Sequence, residues 1–431
     1  MIRNAHLWLP GVLRHRPAEA PPGATVHVLF CVADHFEPNV GGADAATQRR
    51  RVERWVTEYP RLARWHHDSD WKIPRPTFFY PAEAYQPDLV ELLATLCREG
   101  FAEVEVQLHH HDDTDVTLAQ KLEQAKADFA RHGLLARDKA TGQVRFGFVH
   151  GNWALNNSRP DGAWCGVNDE LAVLQQAGCY ADFTMPSAPH ETQARKVNSL
   201  YYAAGDPTRP KSHDTGWDVR VGGQAPTPKD LAWGQGNGHL LLVQGPLALN
   251  WSRRKYGLLP RIENGEISAA NPPTPRRADL WVRQAISVKG REEWVVVKVH
   301  THGAREDNAA VLLGRPMDEL WTYLETRYDD GARFRLHYVT ARELVNIIRA
   351  AEQGLGGDPD CYRDYELTSA LQHDGKSARP LCRTASGTTA KSVRHFSTRR
   401  LASGKVSDTF CLVAVAFRQS SAWHVSVAGV P

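Results

Sequence analysis

Apolar runs short enough to be strands recur along this chain, and three of them end abruptly in histidines and carboxylates. The first leads from Val26 into Val32-Ala33-Asp34-His35-Phe36-Glu37-Pro38. The second is Val104-Glu105-Val106-Gln107-Leu108, which meets His109-His110-His111-Asp112-Asp113-Thr114. The third, Val297-Lys298-Val299, ends in His300-Thr301-His302-Gly303. A buried strand gains nothing from ending in ionisable groups unless they have partners, because uncompensated charge is costly away from water. In a parallel sheet the C-terminal strand ends lie along one edge, so the three endings are expected to form one shared site. Imidazoles and carboxylates together are the donor set of a divalent metal.

The intervening stretches read as helices. Val52, Trp55, Val56, Tyr59 and Leu62 repeat at helical spacing from Ala46 to Trp65, with Pro60 predicted to kink or end the helix. Pro87 opens a second helix through Leu89, Leu92, Leu93 and Leu96, and Gly100 stops it. Thr114 or Asp115 caps a third that carries Leu118, Leu122, Ala125 and Phe129. Further strands are predicted over Thr77–Tyr80, Phe146–Val149, Leu240–Val243, Trp294–Val299 and Phe334–Val339. Asn168 is expected to cap a short helix through Leu171 and Leu174, and another helix runs through Leu320, Tyr323 and Leu324. Thr340 and Glu343 form a capping box ahead of the last one. Strands and helices in alternation predict an α/β domain over residues 25–354, built as a distorted seven-stranded β/α barrel. Residues 1–24 read as an N-terminal extension. Residues 355–431 read as an irregular tail, disordered or only loosely attached, rich in Ser, Thr, Arg and Lys between Lys376 and Lys405, with one strand-like run over 410–417. Pro- and Gly-dense stretches at 203–231 and 257–277 are expected to be long loops that shape a cleft.

Composition limits the function classes. A net charge of +3 over 431 residues is too small to argue for nucleic acid. No segment approaches the ~20 apolar residues of a membrane span, and the N-terminus lacks the apolar core of a secretory leader. Seven cysteines without close pairing suggest reduced thiols. Together these point to a cytoplasmic protein.

The order of the motifs resembles the polysaccharide deacetylases, the NodB-homology or carbohydrate esterase family 4 group. In that family a Thr-Phe-Asp-Asp-Gly-Pro strand end supplies a general base and a metal ligand. A Thr-Phe-Phe strand and a helix ending in Gly follow, then a strand reading Glu-Ile-Gly-Asn-His with a second His four residues on, and a late strand leads to a His acid. This chain has Asp34-His35 at the first position, Thr77-Phe78-Phe79, Gly100, Glu105-Val106-Gln107-Leu108-His109 with Asp113 at the second-His position, and Val299-His300-Thr301-His302. The resemblance implies an N-acyl hydrolase of carbohydrate or related amides that depends on zinc or a similar divalent metal. It implies Asp34 as base and His302 or His300 as acid, with His35, His109 and Asp113 as ligands and His111 or Asp112 as substitutes for Asp113. His35 replaces the family's second Asp, and its Arg-Pro-Pro-Tyr-Gly motif has no faithful copy. His150 or Asn152, in Phe148-Val149-His150-Gly151-Asn152-Trp153, can take the place of that Arg, with Trp153 beside the substrate. Trp164, Trp217 and Trp251 are further aromatic surfaces for sugar rings, and Glu37 reads as a loop residue. Two rivals remain open, another metal hydrolase such as a phosphoesterase, and a carbohydrate-binding protein that keeps the fold without the chemistry.

Overall fold

The computed structural model describes residues 3–223 and 239–371. In chain order the strands are β1 (Val26–His35), β2 (Thr77–Pro81), β3 (Glu103–Leu108), β4 (Ala136–Asp138), β5 (Val144–His150), β6 (Cys179–Asp182), β7 (Leu200–Ala204), β8 (Trp217–Asp218), β9 (His239–Val243), β10 (Ala248–Lys255), β11 (Leu259–Glu263), β12 (Glu266–Ile267), β13 (Trp294–Thr301), β14 (Phe334–Tyr338) and β15 (Leu367–Ser369). The α-helices are α1 (Ala5–Arg14), α2 (Ala45–Ala63), α3 (Pro87–Arg98), α4 (Asp115–Ala130), α5 (Glu170–Gln176), α6 (Pro275–Val282), α7 (Glu306–Leu312), α8 (Arg315–Arg327) and α9 (Ala341–Glu352).

One large, mainly parallel sheet runs in the order β12-β13-β1-β2-β3-β5-β6-β9-β7-β8. The longest ladder joins β1 to β13, from His27 opposite Trp294 to Asp34 opposite Thr301. β14 pairs with the first half of β1, and β2 takes over from Ala33. The expected barrel is therefore present only as its sheet. β7 lies antiparallel to β8 and β9, and single bridges, Arg220 to Lys289 and Ile286 to Val296, stand where a closing ladder would run.

Each face of the sheet has its own apolar layer. On one, Val28, Phe30, Val104, Val106, Phe146 and Val297 meet Val52 and Trp55 of α2, Leu93 of α3, Leu118 and Leu122 of α4, and Trp281 of α6. On the other, Leu29, Cys31, Ala33, Val149, Ala181, Leu241 and Val296 meet Leu344, Val345, Ile347 and Ile348 of α9. Alternation along β1 sends successive residues to opposite layers. The predicted capping box forms at Thr340 with Glu343, and of the two candidate caps for α4 it is Thr114 that serves, in a capping box with Thr117. Pro60 lies inside α2 instead of ending it.

Several expectations need correction. α5 begins after Asp169, not under an Asn168 cap. The 257–277 stretch is not one loop, because β10 and β11 form an antiparallel hairpin and α6 starts at Pro275. The described part of the N-terminal extension, residues 3–24, is docked, with Trp8 buried against Ala188, Val197 and Leu247. Cys361 is disulfide-bonded, whereas Cys31, Cys97, Cys165 and Cys179 are free and buried. The boundary at 354 falls inside packed structure. β15 pairs with β4, and Asn346 of α9 donates to the Arg363 and Leu367 carbonyls at 2.7 Å each. The predicted tail beyond 371, including the run at 410–417, and positions 224–231 of the predicted loop lie outside the described residues.

Arg363 is the strongest of these late contacts. Its guanidinium donates to the Tyr338 carbonyl at 2.6 Å, to Glu343 at 3.0 Å and to Asp68 at 3.1 Å, and it also pairs with Asp360. Removing one partner of a buried charge network leaves the others uncompensated, which costs ~3–5 kcal/mol. Arg363→Leu is accordingly expected to lower the urea unfolding free energy by about that amount. A loss below ~1 kcal/mol would show that the segment is not integral to the fold.

Candidate metal centre at the strand ends

Parallel pairing carries the ends of β1, β3 and β13 to one edge, as the sequence predicts. Asp34 is fully buried. Its Oδ1 accepts the Gly303 amide at 2.7 Å, while Oδ2 has no hydrogen-bond partner. Gly303 is required here, because a Cβ would stand 2.1 Å from Asp34 Oδ2 and 2.5 Å from the Trp55 ring. Trp55 also donates its indole N–H to the Gly303 carbonyl at 2.8 Å. Burial pushes the Asp34 carboxyl up to about 7, against the opposing pull of the Gly303 amide.

His35 is buried beside two other imidazoles, with ring centroids 4.9 Å from His302 and 6.1 Å from His300. Its Nδ1 has no hydrogen-bond partner. Burial, then the neighbouring imidazoles of His302 and His300, holds His35 well below the usual histidine range, and burial likewise lowers His300 and His302. Neutral imidazoles are the form that binds a metal. The strand ends between the two late histidines. His300 is within β13 with its amide on the Gly265 carbonyl, and His302 lies just beyond.

Glu37 completes the set. One ligand atom each from His35, Glu37 and His302 lie within 4.8 Å of one another. Two imidazoles and a glutamate are a known three-ligand arrangement of catalytic zinc, which leaves a position open. The unpartnered, buried His35 Nδ1 and Asp34 Oδ2 fit a site whose polar atoms meet something beyond the protein's own groups.

His109 reaches this set through Glu37, with Nε2 3.5 Å from Glu37 Oε1. Its Nδ1 is 2.6 Å from Glu83, which stands on the turn after β2. Burial alone would lower its pKa, but the hydrogen bonds with Glu37 and Glu83 outweigh that and raise it to about 9. In return, the bond with His109 overcomes the upward push of burial on Glu37 and keeps that carboxyl below its usual range. Gln107 donates to Glu37 at 2.5 Å. Gly151 makes room for the His109 ring, since a Cβ there would come within 2.4 Å of it.

The remaining predicted residues divide. Trp153, in a left-handed conformation, sets its ring edge-on to His302 at 6.1 Å and near His190 at 5.8 Å. Asp113 is not brought to the strand-end set. Its carboxylate accepts from Thr117 and Lys121 at 2.7 Å each and lies 3.0 Å from His110 Nδ1. His111 is more than half exposed and accepts the Trp164 amide, and Asp112 is still more exposed. His150 turns toward Glu170, and the Asn152 amide approaches its Nδ1 at 3.3 Å. Among the described residues, the Gly303 amide orients Asp34, and the Thr301 side chain adds to its pull on the carboxylate. Sequence reasoning missed Glu37, Glu83, Gln107 and the two glycines. Glu37 carried a usable signal, being two residues past His35 and separated from it by the fully buried Phe36.

No family model matches the chain, and no curated protein is similar to it in sequence.

The contact made by Gly303 yields a direct expectation. Gly303→Ala must separate the ends of β1 and β13, and overpacking of this kind costs ~1–3 kcal/mol. The melting temperature of the purified variant should therefore fall by several degrees. An unchanged value would mean that the strand ends yield without cost.

Proposed function

We propose that this protein is a metal-dependent hydrolase that removes an N-acyl group, in the simplest case acetyl, from a carbohydrate or related amide. The observation that carries this reading is the convergence of His35, Glu37 and His302 beside Asp34 and the His109–Glu83 pair at one sheet edge. The order of motifs along the chain supports the acyl-transfer chemistry, and Trp153 beside His302 offers an apolar ring to a sugar face.

His35, Glu37 and His302 would hold the metal, with zinc the best match to two imidazoles and a carboxylate. Bound there, it supplies a Lewis acid for the carbonyl and an acidified water. Asp34 provides the proton acceptor. Its Oδ1 is fixed by Gly303, Oδ2 has no hydrogen-bond partner, and burial raises the carboxyl, which strengthens it as a proton acceptor. His109 provides the proton for the departing amine. Glu83 fixes its Nδ1, so Nε2 presents the proton beside Glu37, and the Glu83 carboxylate favours the charged ring. His302 and His109 thus exchange the roles that motif order alone gives them. His300, held within β13 with its amide on the Gly265 carbonyl, is not the acid in this reading.

The test is acetate release from N-acetylated chito-oligosaccharides by the zinc-loaded full chain. Asp34→Asn and His109→Gln should each retain zinc and lose ~10²–10⁴-fold in kcat. His302→Ala should lose zinc and activity together. An active Asp34→Asn variant would remove that residue from the base role. Hydrolysis of phosphate esters in place of amides would make the protein a phosphoesterase, and sugar binding without zinc or turnover would make it a binding protein.

A further inference from the structure

A second cluster lies one residue along from His109. His110 follows β3, His150 ends β5, Cys165 stands in the loop after it, and Glu170 is the first residue of α5. All four are buried, and one ligand atom from each lies within 4.8 Å of the others. His110 Nε2 is 3.1 Å from Glu170 Oε1, His150 Nε2 is 3.9 Å from the same oxygen, and Cys165 Sγ is 3.4 Å from Glu170 Oε2. A tetrahedral zinc with ordinary bond lengths separates its ligand atoms by roughly 3.3–3.8 Å.

A plain histidine–glutamate ion pair does not account for this group. It leaves His150 Nε2, with no accessible surface, without a hydrogen-bond partner and 3.9 Å from the carboxylate it faces. An orphaned buried donor of this kind costs ~1–3 kcal/mol. The surroundings also fit metal ligands. Asp113, itself held by Lys121 and Thr117, has its Oδ2 3.0 Å from His110 Nδ1 without a hydrogen bond between them, so a carboxylate stands within reach of a ring that would ligate through Nε2. The Asn157 and Val167 amides point at Cys165 Sγ from 3.3 and 3.5 Å, and the thiol, kept protonated by burial, donates to Glu170 Oε2 at 3.4 Å, the proton that a bound metal would displace. Gly166, at φ +96°, lets the loop close over Asp113, where a Cβ would come within 2.7 Å of its carbonyl oxygen.

We propose that His110, His150, Cys165 and Glu170 form a second, structural metal site that takes zinc. Four protein ligands fill a tetrahedral shell and leave no position for substrate, so the site is closed. The cation balances a thiolate and a carboxylate in a place with no solvent to do so. Its effect is to pin the 150–170 segment to the end of β3. Gly151, which admits the His109 ring, and Trp153, which flanks His302, lie in that segment, so the closed site fixes the geometry of the open one. The Asn152 amide contact to His150 Nδ1, long at 3.3 Å, is given up when Nε2 binds the metal and Nδ1 carries the proton.

Cobalt(II) titration of the metal-free full chain tests this without any activity measurement. The His35, Glu37 and His302 set has no sulfur, so a near-ultraviolet thiolate-to-cobalt charge-transfer band reports the Cys165 site alone of the two. The wild-type chain and His302→Ala are expected to develop the band, and Cys165→Ser to lose it while still binding one equivalent of cobalt. No band in the wild-type chain overturns the proposal, whatever the variants do. A band that persists in Cys165→Ser also overturns it, by moving the thiolate to another cysteine. Loss of cobalt in His302→Ala with the band retained separates this site from the strand-end centre.

Discussion

The Gly303 amide donates to the Asp34 carboxylate at 2.7 Å, and that single bond ties the C-terminal ends of β1 and β13 together. These strands share the longest ladder in the sheet, and the bond lies just past its last pair, Asp34 with Thr301. A buried carboxylate is tolerated only with a donor of this kind. Because the donor is backbone, it serves only if residue 303 has no Cβ, and only then do His35 and His302 face each other across the junction. Trp55 of α2 closes the same corner by donating to the Gly303 carbonyl, so helix packing on one side of the sheet is coupled to the site on its edge.

Opposing charges then divide the labour among chemically similar groups. His35, His300 and His302 are buried among one another and are held neutral. His109, between Glu37 and Glu83, is held charged. Neutral rings suit metal binding and a charged ring suits proton donation, so position relative to carboxylates separates the two jobs. Adjacent His110 faces a third environment, a closed pocket with Glu170 and Cys165. One three-histidine run thus serves two clusters and leaves His111 exposed.

Much of this was legible in the sequence, for physical reasons. Apolar strands ending in ionisable residues located the edge, and the capping residues Thr114 and Thr340 marked helix starts where they occur. Within 109–113 the register was not legible, because period-two alternation ends with β3 at Leu108 and Asp112 turns into the left-handed region at φ +52°, so Asp113 lands on α4's capping side. Spacing from His109 therefore says nothing about where Asp113 points. Glu37 was passed over because a ligand in a turn has no periodicity to reveal it. The β10–β11 hairpin was hidden by Gly257 and Pro260 and by its largely exposed, polar strand residues. The docking of 355–371 depends on long-range polar contacts of Arg363 and Asn346, which leave no local pattern.

The most direct measurement is an anomalous difference map from crystals of the full chain grown with zinc, with data taken on either side of the zinc edge. The account predicts a peak bonded to His35, Glu37 and His302 at the strand ends. Full zinc occupancy elsewhere, with no peak between those three residues, would contradict it.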